Sequence, residues 1–546
     1  MNETNLLEPQ EQIANAKRPA GKATAPMGRV LSFATITAFG FVLGKVSGIL
    51  REMVVSARFG LSAQLDAYFL AGSVPTIINN VVAGSAITAA IMPTFARYLA
   101  TRAEGEPRAA RAEFWFVASI LTNIVLLITG ALTILAMAFA APVISILGSR
   151  LDAPTAALAT NLLAIMMPTL LLGAALNMLM AMLNSLDRFT APALIFLALN
   201  VGIIGTVILF SPALGVYAVA WGFLIGVGLQ VAVQLIELQR ERPQYQWRID
   251  WRHPALGQVL RAFIPIAALS IVAQINLLVD RTMAATLPAG SVSALYYADS
   301  VLGMFYMLGI SLGIAVFPSL SRMAAMHDLA CTARTVDSSL RLLILILMPL
   351  VFLLILFGAP IVGLILGRGE FDPVAVARTA QALTMYAIGL IGIAAIYVLQ
   401  RAFFALLDNV TPFIVGAGAA ALHIGLNLLF MPFWSHAGIA LSTSVTALAG
   451  AIALTLLLTR RVPHLNVADL LVYILQCAVM ALVCAAAAFW LFSVLNLGVE
   501  TLTARIIGTA VAAVGALAYF ALALLMGVSE SKTLVNVMLG FVRRKK

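Results

Sequence analysis

Long apolar runs separated by short polar breaks recur along the whole of this 546-residue chain. They fall at roughly 29–57, 66–97, 113–141, 158–186, 192–210 and 214–238, then at roughly 257–286, 295–321, 338–358, 374–405, 412–431 and 437–459. Two more, near 468–496 and 503–527, close the chain. An α-helix needs about 20 residues to cross ~30 Å of hydrocarbon, and every run reaches or approaches that length. The pattern therefore predicts an all-α polytopic membrane protein with about fourteen transmembrane helices. No outer connection is long enough to fold by itself. The longest, 358–375, contains GRGEFDPVAV, where Asp372 reads as a helix N-cap and Pro373 as the first helical residue.

The two sets of six runs resemble each other. IMPTFAR (91–97) recurs as VFPSLSR (316–322), SLDRFTAP (185–192) as LLDNVTP (406–412), and DAYFLAGSV (66–74) echoes in LYYADSVLG (295–303). An even number of spans per repeat gives two parallel, pseudo-symmetric lobes, with the expected substrate cavity between them. The predicted organisation is a disordered cytoplasmic tail (1–28), an N-terminal six-helix lobe (29–238) and a basic cytoplasmic linker (239–256). A C-terminal six-helix lobe (257–461) follows, and 462–546 adds two helices and a basic tail. The linker, LQRERPQYQWRIDWRHP, is basic and aromatic, which suits the headgroup level of a bilayer.

Charge orients the bundle. With the N-terminus inside, Arg97, Arg102, Arg108 and Arg111, then Arg240, Arg242, Arg248 and Arg252, then Arg322, Arg334 and Arg341 all lie on inner connections. Arg460, Arg461 and the Arg543–Lys546 tail fall on the same side, so both termini are expected in the cytoplasm. A net charge of +10 distributed in this way encodes topology and gives no reason to expect nucleic acid. With 62% hydrophobic and 10% charged residues, and a mean hydropathy of +1.02, no soluble class competes. Cys331, Cys477 and Cys484 make no disulfide framework and read as small apolar residues. No HExxH, P-loop or nucleophile elbow is present, and the five histidines do not cluster at metal-ligand spacing. An enzyme is therefore not expected, no cofactor is implied, and transport remains.

Chemistry concentrates where charge enters the apolar spans. Phe39–Arg58, FGFVLGKVSGILREMVVSAR, carries Lys45, Arg51 and Glu52. On one helix from Arg29 to Arg58, Lys45 lies ~24 Å from the inner end at ~1.5 Å per residue. A charge at that depth costs several kcal/mol unless it faces a wet cavity or a partner. Gly40, Gly44 and Gly48 form a stripe along which another helix can approach closely. The remaining intramembrane polar residues are Asp66, Asn79, Asn80, Asp280, Arg281, Asp299 and Arg378. Cations in a shielded cavity suit an anion, and a phosphorylated lipid could keep its chain in the bilayer while its headgroup crosses.

The run GKVSGILREMVVSARFGLSAQLDAYFLAGSVP resembles the opening of the MurJ/MviN family, lipid II flippases of the MOP transporter superfamily. YYADSVLGMFYMLGISLGIAVFPSLSR is similar to that family's eighth helix, and GRGEFDP and the two additional C-terminal helices fit as well. The resemblance implies export of an undecaprenyl-diphosphate-linked peptidoglycan precursor by alternating access, the inward state opening to the basic side. The family's first-helix arginine is here Lys45, its paired second-helix arginines are Asn79 and Asn80, the acidic residue shortly after them is Gly84, and its eighth-helix arginine is Ser300. Arg51, Glu52, Asp66 and Asp299 match. The expected substrate set is thus Lys45, Arg51, Glu52, Asp66, Asn79, Asn80, Asp299 and Ser300, with Lys45 and Arg51 gripping phosphate.

The resemblance also implies a cation site of Asp280, Asn427 and Thr443, oxygen ligands suited to a hard ion such as Na⁺. Coupling to Na⁺, to H⁺ or to the membrane potential stays open at this point. So does the choice between lipid II, another lipid-linked saccharide, and a small molecule exchanged by a cation-coupled antiporter. The implied partners are the lipid-linked saccharide diphosphate, membrane lipids and the cell-wall synthesis machinery.

Overall fold

The computed structural model describes residues 27–83, 85–100, 107–495, 501–532 and 534. The two tails and Gly84 lie outside the described residues, whose regular elements are all helices. The first lobe contains α1 (Met27–Phe59), α2 (Ala63–Ile78), a π turn at Asn79–Ala83, α3 (Ser85–Ala100) and α4 (Pro107–Ala138). It continues with α5 (Ala140–Leu147), α6 (Ala153–Met166), α7 (Thr169–Ser185), α8 (Thr190–Ala193), α9 (Ile195–Leu214) and α10 (Tyr217–Gln239). The second lobe holds α11 (Pro254–Ala284), α12 (Ser291–Ala325), α13 (Leu329–Ile365), α14 (Pro373–Ile388), α15 (Leu390–Ala405), α16 (Val410–Trp434) and α17 (His436–Arg461). Then come α18 (Val467–Val494) and α19 (Leu502–Leu525).

Ten helices among the described residues are long and apolar enough to cross a membrane, and the α14–α15 pair, bent by 43°, makes an eleventh. The other three expected spans coincide with α1, with the interrupted α2–α3 run and with α11. These are the segments that carry Lys45, Arg51 and Glu52, then Asn79 and Asn80, and then Asp280 and Arg281.

The internal repeat appears in the backbone. Arg188 N–H donates to Leu183 carbonyl (2.8 Å) with Asp187 at φ 59°, and Asp408 N–H donates to Phe403 carbonyl (3.0 Å) with Leu407 at φ 60°. Gly215 (φ 54°, ψ −137°) and Ser435 (φ 52°, ψ −132°) likewise end α9 and α16 with one turn geometry. Each pair is about 220 residues apart, so the two lobes share their connections as well as their helices. Asp372 caps α14 through Ala375 N–H at 2.7 Å, with Pro373 at the first position, as its sequence predicts.

The glycine stripe of α1 packs on the α8–α9 segment. A Cβ at Gly40 would lie 2.5 Å from the Ala193 carbonyl oxygen, and one at Gly44 would lie 2.6 Å from Phe196 Cβ. The linker between the lobes is extended and docks on α4. Asn123 Nδ2 donates to the carbonyls of Gln246 and Arg248, both at 2.9 Å, and Gln246 N–H donates to Ser119 Oγ. Trp247, Ile249 and Trp251 project outwards from it.

Candidate functional site between the lobes

Arg51 is the centre of the site. Its guanidinium donates to Asn200 Oδ1 on α9 (3.2 Å), to the Tyr296 hydroxyl on α12 (3.2 Å) and to the Glu52 carboxylate. Tyr296 in turn donates to Glu52 at 3.0 Å. The sequence leaves Lys45–Glu52 as one conceivable pair, but the structure gives Glu52 to Arg51 and Tyr296. Asn200, almost wholly buried, also donates to Gly44 carbonyl (3.2 Å) and Ser47 Oγ (2.9 Å), which ties α9 to α1. This is possible because the glycines of α1 let α9 approach within hydrogen-bond reach. One network thus joins both lobes through adjacent residues of a single helix.

Two cavities meet at Arg51 and Glu52. The first, about 380 Å³, lies between α1, α9 and α12 and is lined by Lys45, Asn200, Ser300, Met304 and Met307. Lys45 is exposed to it. The second, about 280 Å³, is lined by Tyr68, Phe69, Arg281, Tyr296 and Asp299. Arg281 holds its guanidinium 5.3 Å from the Tyr296 ring centre and donates to Val292 carbonyl, while Phe69 stacks on Tyr296 at 3.8 Å. Lys45, Arg51 and Arg281 stand against Glu52 and Asp299, leaving one net positive charge around the paired cavities. In a low-dielectric setting that excess favours an anionic group.

Of the expected substrate residues, Lys45, Arg51, Glu52, Asp299 and Ser300 come together here. Three do not line either cavity. Asp66 instead accepts Gly290 N–H (2.6 Å), Ser293 N–H (2.7 Å) and the Ser293 hydroxyl, so its carboxylate caps α12 from the other lobe. Gly290, at φ 85°, has no side chain with which to cap its own helix, and the open N–H groups attract a carboxylate. Asn79 packs on α7, where a Cβ at Gly173 would lie 2.6 Å from its amide. Asn80 bonds Gln274 of α11 at 3.2 Å. Asn79 and Asn80 open the π turn at Asn79–Ala83, and their side chains meet α7 and α11 instead of the cavities. Asn200, Tyr296 and Arg281 complete the site. Tyr296 was legible as the first tyrosine of the YYADS stretch, whereas nothing in the sequence marks Asn200.

Above the cavities the end of the bundle that the charge bias assigns to the outside is shut. Glu370 N–H donates to Ala57 carbonyl (2.9 Å), Ser56 Oγ to Leu366 carbonyl (3.4 Å), and Arg378 to Ala289 carbonyl (2.7 Å). Gly60 and Gly369, both at φ 56°, let the two backbones cross. Towards the other end, Arg97 donates to Gln258 at 2.9 Å.

Asp280 and Asn427 do meet: Asn427 Nδ2 donates to Asp280 Oδ1 at 2.8 Å. His423, one turn before Asn427 on α16, places Nε2 2.7 Å from the same oxygen. Thr443 lines the adjoining cavity of about 650 Å³ but donates to its own helix at Ile439. Arg281, the sequence neighbour of Asp280, turns instead to Val292 and Tyr296.

The family model for "Lipid II flippase MurJ" matches residues 55–508. The chain belongs to the MurJ lipid II flippase family. It is 29% identical over 438 residues to the Lipid II flippase MurJ of Burkholderia cenocepacia, covering 78% of this chain and 84% of that one. It is also 29% identical over 429 residues to the probable lipid II flippase MurJ of Vibrio cholerae, covering 77% and 81%. Its fold is that of a solved MurJ in an inward closed conformation, with a TM-score of 0.72 at 23% identity, covering 90% of this chain and 98% of that one. An inward-facing MATE transporter of the MOP superfamily shares the fold more distantly, with a TM-score of 0.62 at 15% identity over 77% of this chain. Membership in the MurJ family makes the chain a multi-pass membrane transporter of a lipid-linked substrate, and sets the MATE-like antiporter aside as a fold relative.

Proposed function

We propose that this chain exports lipid II across the cytoplasmic membrane by alternating access, as a transporter and not an enzyme, with both termini in the cytoplasm. The observation that carries this reading is the cavity between α1 and α12 in which Lys45 and Arg51 face one carboxylate, Glu52. Lys45 and Arg51 would hold the diphosphate, Ser300 and Asn200 would offer neutral contacts, and Asp299 would supply an acid with which a cation can pair once the phosphate leaves. Met304 and Met307 give the same wall an adaptable apolar stretch beside the polar one. The absent second-helix arginines weigh little against the reading, because Asn79 and Asn80 stand away from the cavity. Another lipid-linked saccharide is the second reading, favoured by Lys45 and Ser300, where a point charge and a hydroxyl replace bidentate groups. On the outer side, the product would pass to the cell-wall synthesis machinery.

The test is complementation of cells depleted of their lipid II flippase. Wild type should rescue growth, while Lys45→Ala and Arg51→Ala at equal membrane levels should each lower rescue at least about tenfold, the factor for one lost charge-assisted contact. Failure of well-expressed wild type would move the substrate to another lipid-linked saccharide.

Coupling belongs to the same proposal. Asn427 Oδ1 is buried without a protein partner, and in this reading it would join Asp280 and Thr443 as an oxygen ligand of a monovalent cation. Replacing Na⁺ by K⁺ in a vesicle flipping assay should slow wild type and leave Asp280→Asn, already slow, unchanged. Equal wild-type rates in both salts would refute Na⁺ coupling and leave H⁺ or the membrane potential as the drive.

A further inference from the structure

The two C-terminal helices lie outside both lobes, yet α19 buries a cation against the second lobe. Arg505 is 7% exposed. Its Nη1 donates to Gly363 carbonyl at 3.2 Å and also to Gly367 carbonyl. These oxygens belong to the last turn of α13 and the residue just after its cap, where the helix end is negative; Gly363 carbonyl also accepts Gly367 N–H at 3.0 Å. The glycines make room for the guanidinium: a Cβ at Gly363 would lie 3.0 Å from Nε and one at Gly367 2.4 Å from Nη1.

The segment that Arg505 grips is the one that closes the outer mouth. Leu366 carbonyl accepts Ser56 Oγ, and Glu370 N–H donates to Ala57 carbonyl. A Cβ at Gly369 would lie 2.2 Å from Ala57 oxygen, and one at Gly60 2.3 Å from Glu370 oxygen. Residues 363–371 therefore run from a clamp on α19 to a backbone crossing at the end of α1, the helix that carries Lys45 and Arg51.

We propose that Arg505 is a positioning residue for transport: it fixes the segment 366–371 against the end of α1, so that the two C-terminal helices set how readily the outer mouth opens. A cap that served only α13 would stabilise that helix whichever way the mouth stood. A clamp on the closing segment changes the balance between closed and open. The inference rests on reading the contact of 57–60 with 366–371 as the outer closure, and does not depend on which lipid is carried.

The test uses the full chain in native membranes, with Cys331, Cys477 and Cys484 replaced by serine and with Ala57→Cys and Glu370→Cys introduced. A short bifunctional thiol reagent should cross-link this pair readily in the Arg505 background. Arg505→Met, similar in length but without donors, should slow cross-linking about tenfold, as expected for loss of one charge-assisted bond. Arg505→Lys should recover part of the rate, since an ammonium can still reach one carbonyl. Thermal melting of each variant is measured alongside. A lowered melting temperature with unchanged cross-linking would assign Arg505 to helix capping alone and overturn the proposal. If Arg505→Met does not accumulate, Gly367→Ala takes its place, displacing the guanidinium without removing it, with the same slowing expected. Parent-rate cross-linking there, or failure of both variants to accumulate, would also overturn the proposal. Cross-linking needs no substrate, so these outcomes stay separate from the complementation result.

Discussion

Asp66→Asn should unlatch the outer mouth. The carboxylate uses one oxygen for Gly290 N–H at 2.6 Å and the other for Ser293 N–H at 2.7 Å and the Ser293 hydroxyl. Asparagine has the same shape but keeps only one acceptor oxygen, so its amide NH₂ must face a backbone N–H. Losing one charge-assisted bond to a buried donor costs about 1.5–3 kcal/mol. Losing the negative charge at the N-terminus of α12 adds about 0.3–1 kcal/mol. The contact joins the lobes only at the closed outer end, so the cost falls on the closed state. Together these shift the open-to-closed ratio by about 2–4 kcal/mol, a factor of roughly thirty to a thousand. Spin labels at Gln64 and Val374, on opposite sides of that closure, read the shift by double electron–electron resonance in nanodiscs. Asp66→Asn should move the distance distribution towards a longer, open population, and Asp66→Glu should lie between. A distribution identical to wild type would refute the assignment of Asp66 as the latch.

Two further predictions concern the connections that the lobes share. Ser435 holds φ 52° and ψ −132°, a conformation in which its counterpart Gly215 carries no side chain, so Ser435→Gly should stabilise the protein by about 1 kcal/mol. A rise in the melting temperature of the detergent-solubilised protein would be seen, and a fall would show that the serine side chain contributes more than the strain costs. Asp408, in the turn before α16, is held below the ordinary aspartate value of 3.8, first by the Thr411 N–H and then by the Thr411 hydroxyl and Arg461. Its folded-state pKa is depressed, so its stabilising effect is complete above about pH 4 and disappears as pH falls through the lowered value. Asp408→Asn should flatten the wild-type loss of melting temperature in that acid range, and parallel curves for the two proteins would refute the assignment.

The sequence by itself determined the class of the molecule. Apolar runs long enough to span hydrocarbon leave a chain no soluble alternative, because each backbone polar group in lipid has to be satisfied within its own helix. Local signals were equally legible. The glycines of α1 marked a close helix approach, Asp372 and Pro373 marked the start of α14, and the recurring motifs marked two related lobes. Lys45, Arg51 and Glu52 were legible as candidates for the site because charge at that depth has few structural excuses. Partners across the chain were decided only by the tertiary structure. Asp66 lies among the same motifs as the cationic site, yet it caps a helix about 220 residues away, since only the packing of α2 against α12 reveals an uncapped N-terminus. Asn79 and Asn80 align with the family's cationic positions, but they meet Gly173 and Gln274, partners about 95 and 194 residues away that composition does not encode. His423 beside Asp280, and Arg505 beneath the outer loop, required the same knowledge. Periodicity fixes which face of a helix a residue occupies, and the assembled bundle decides what that face meets.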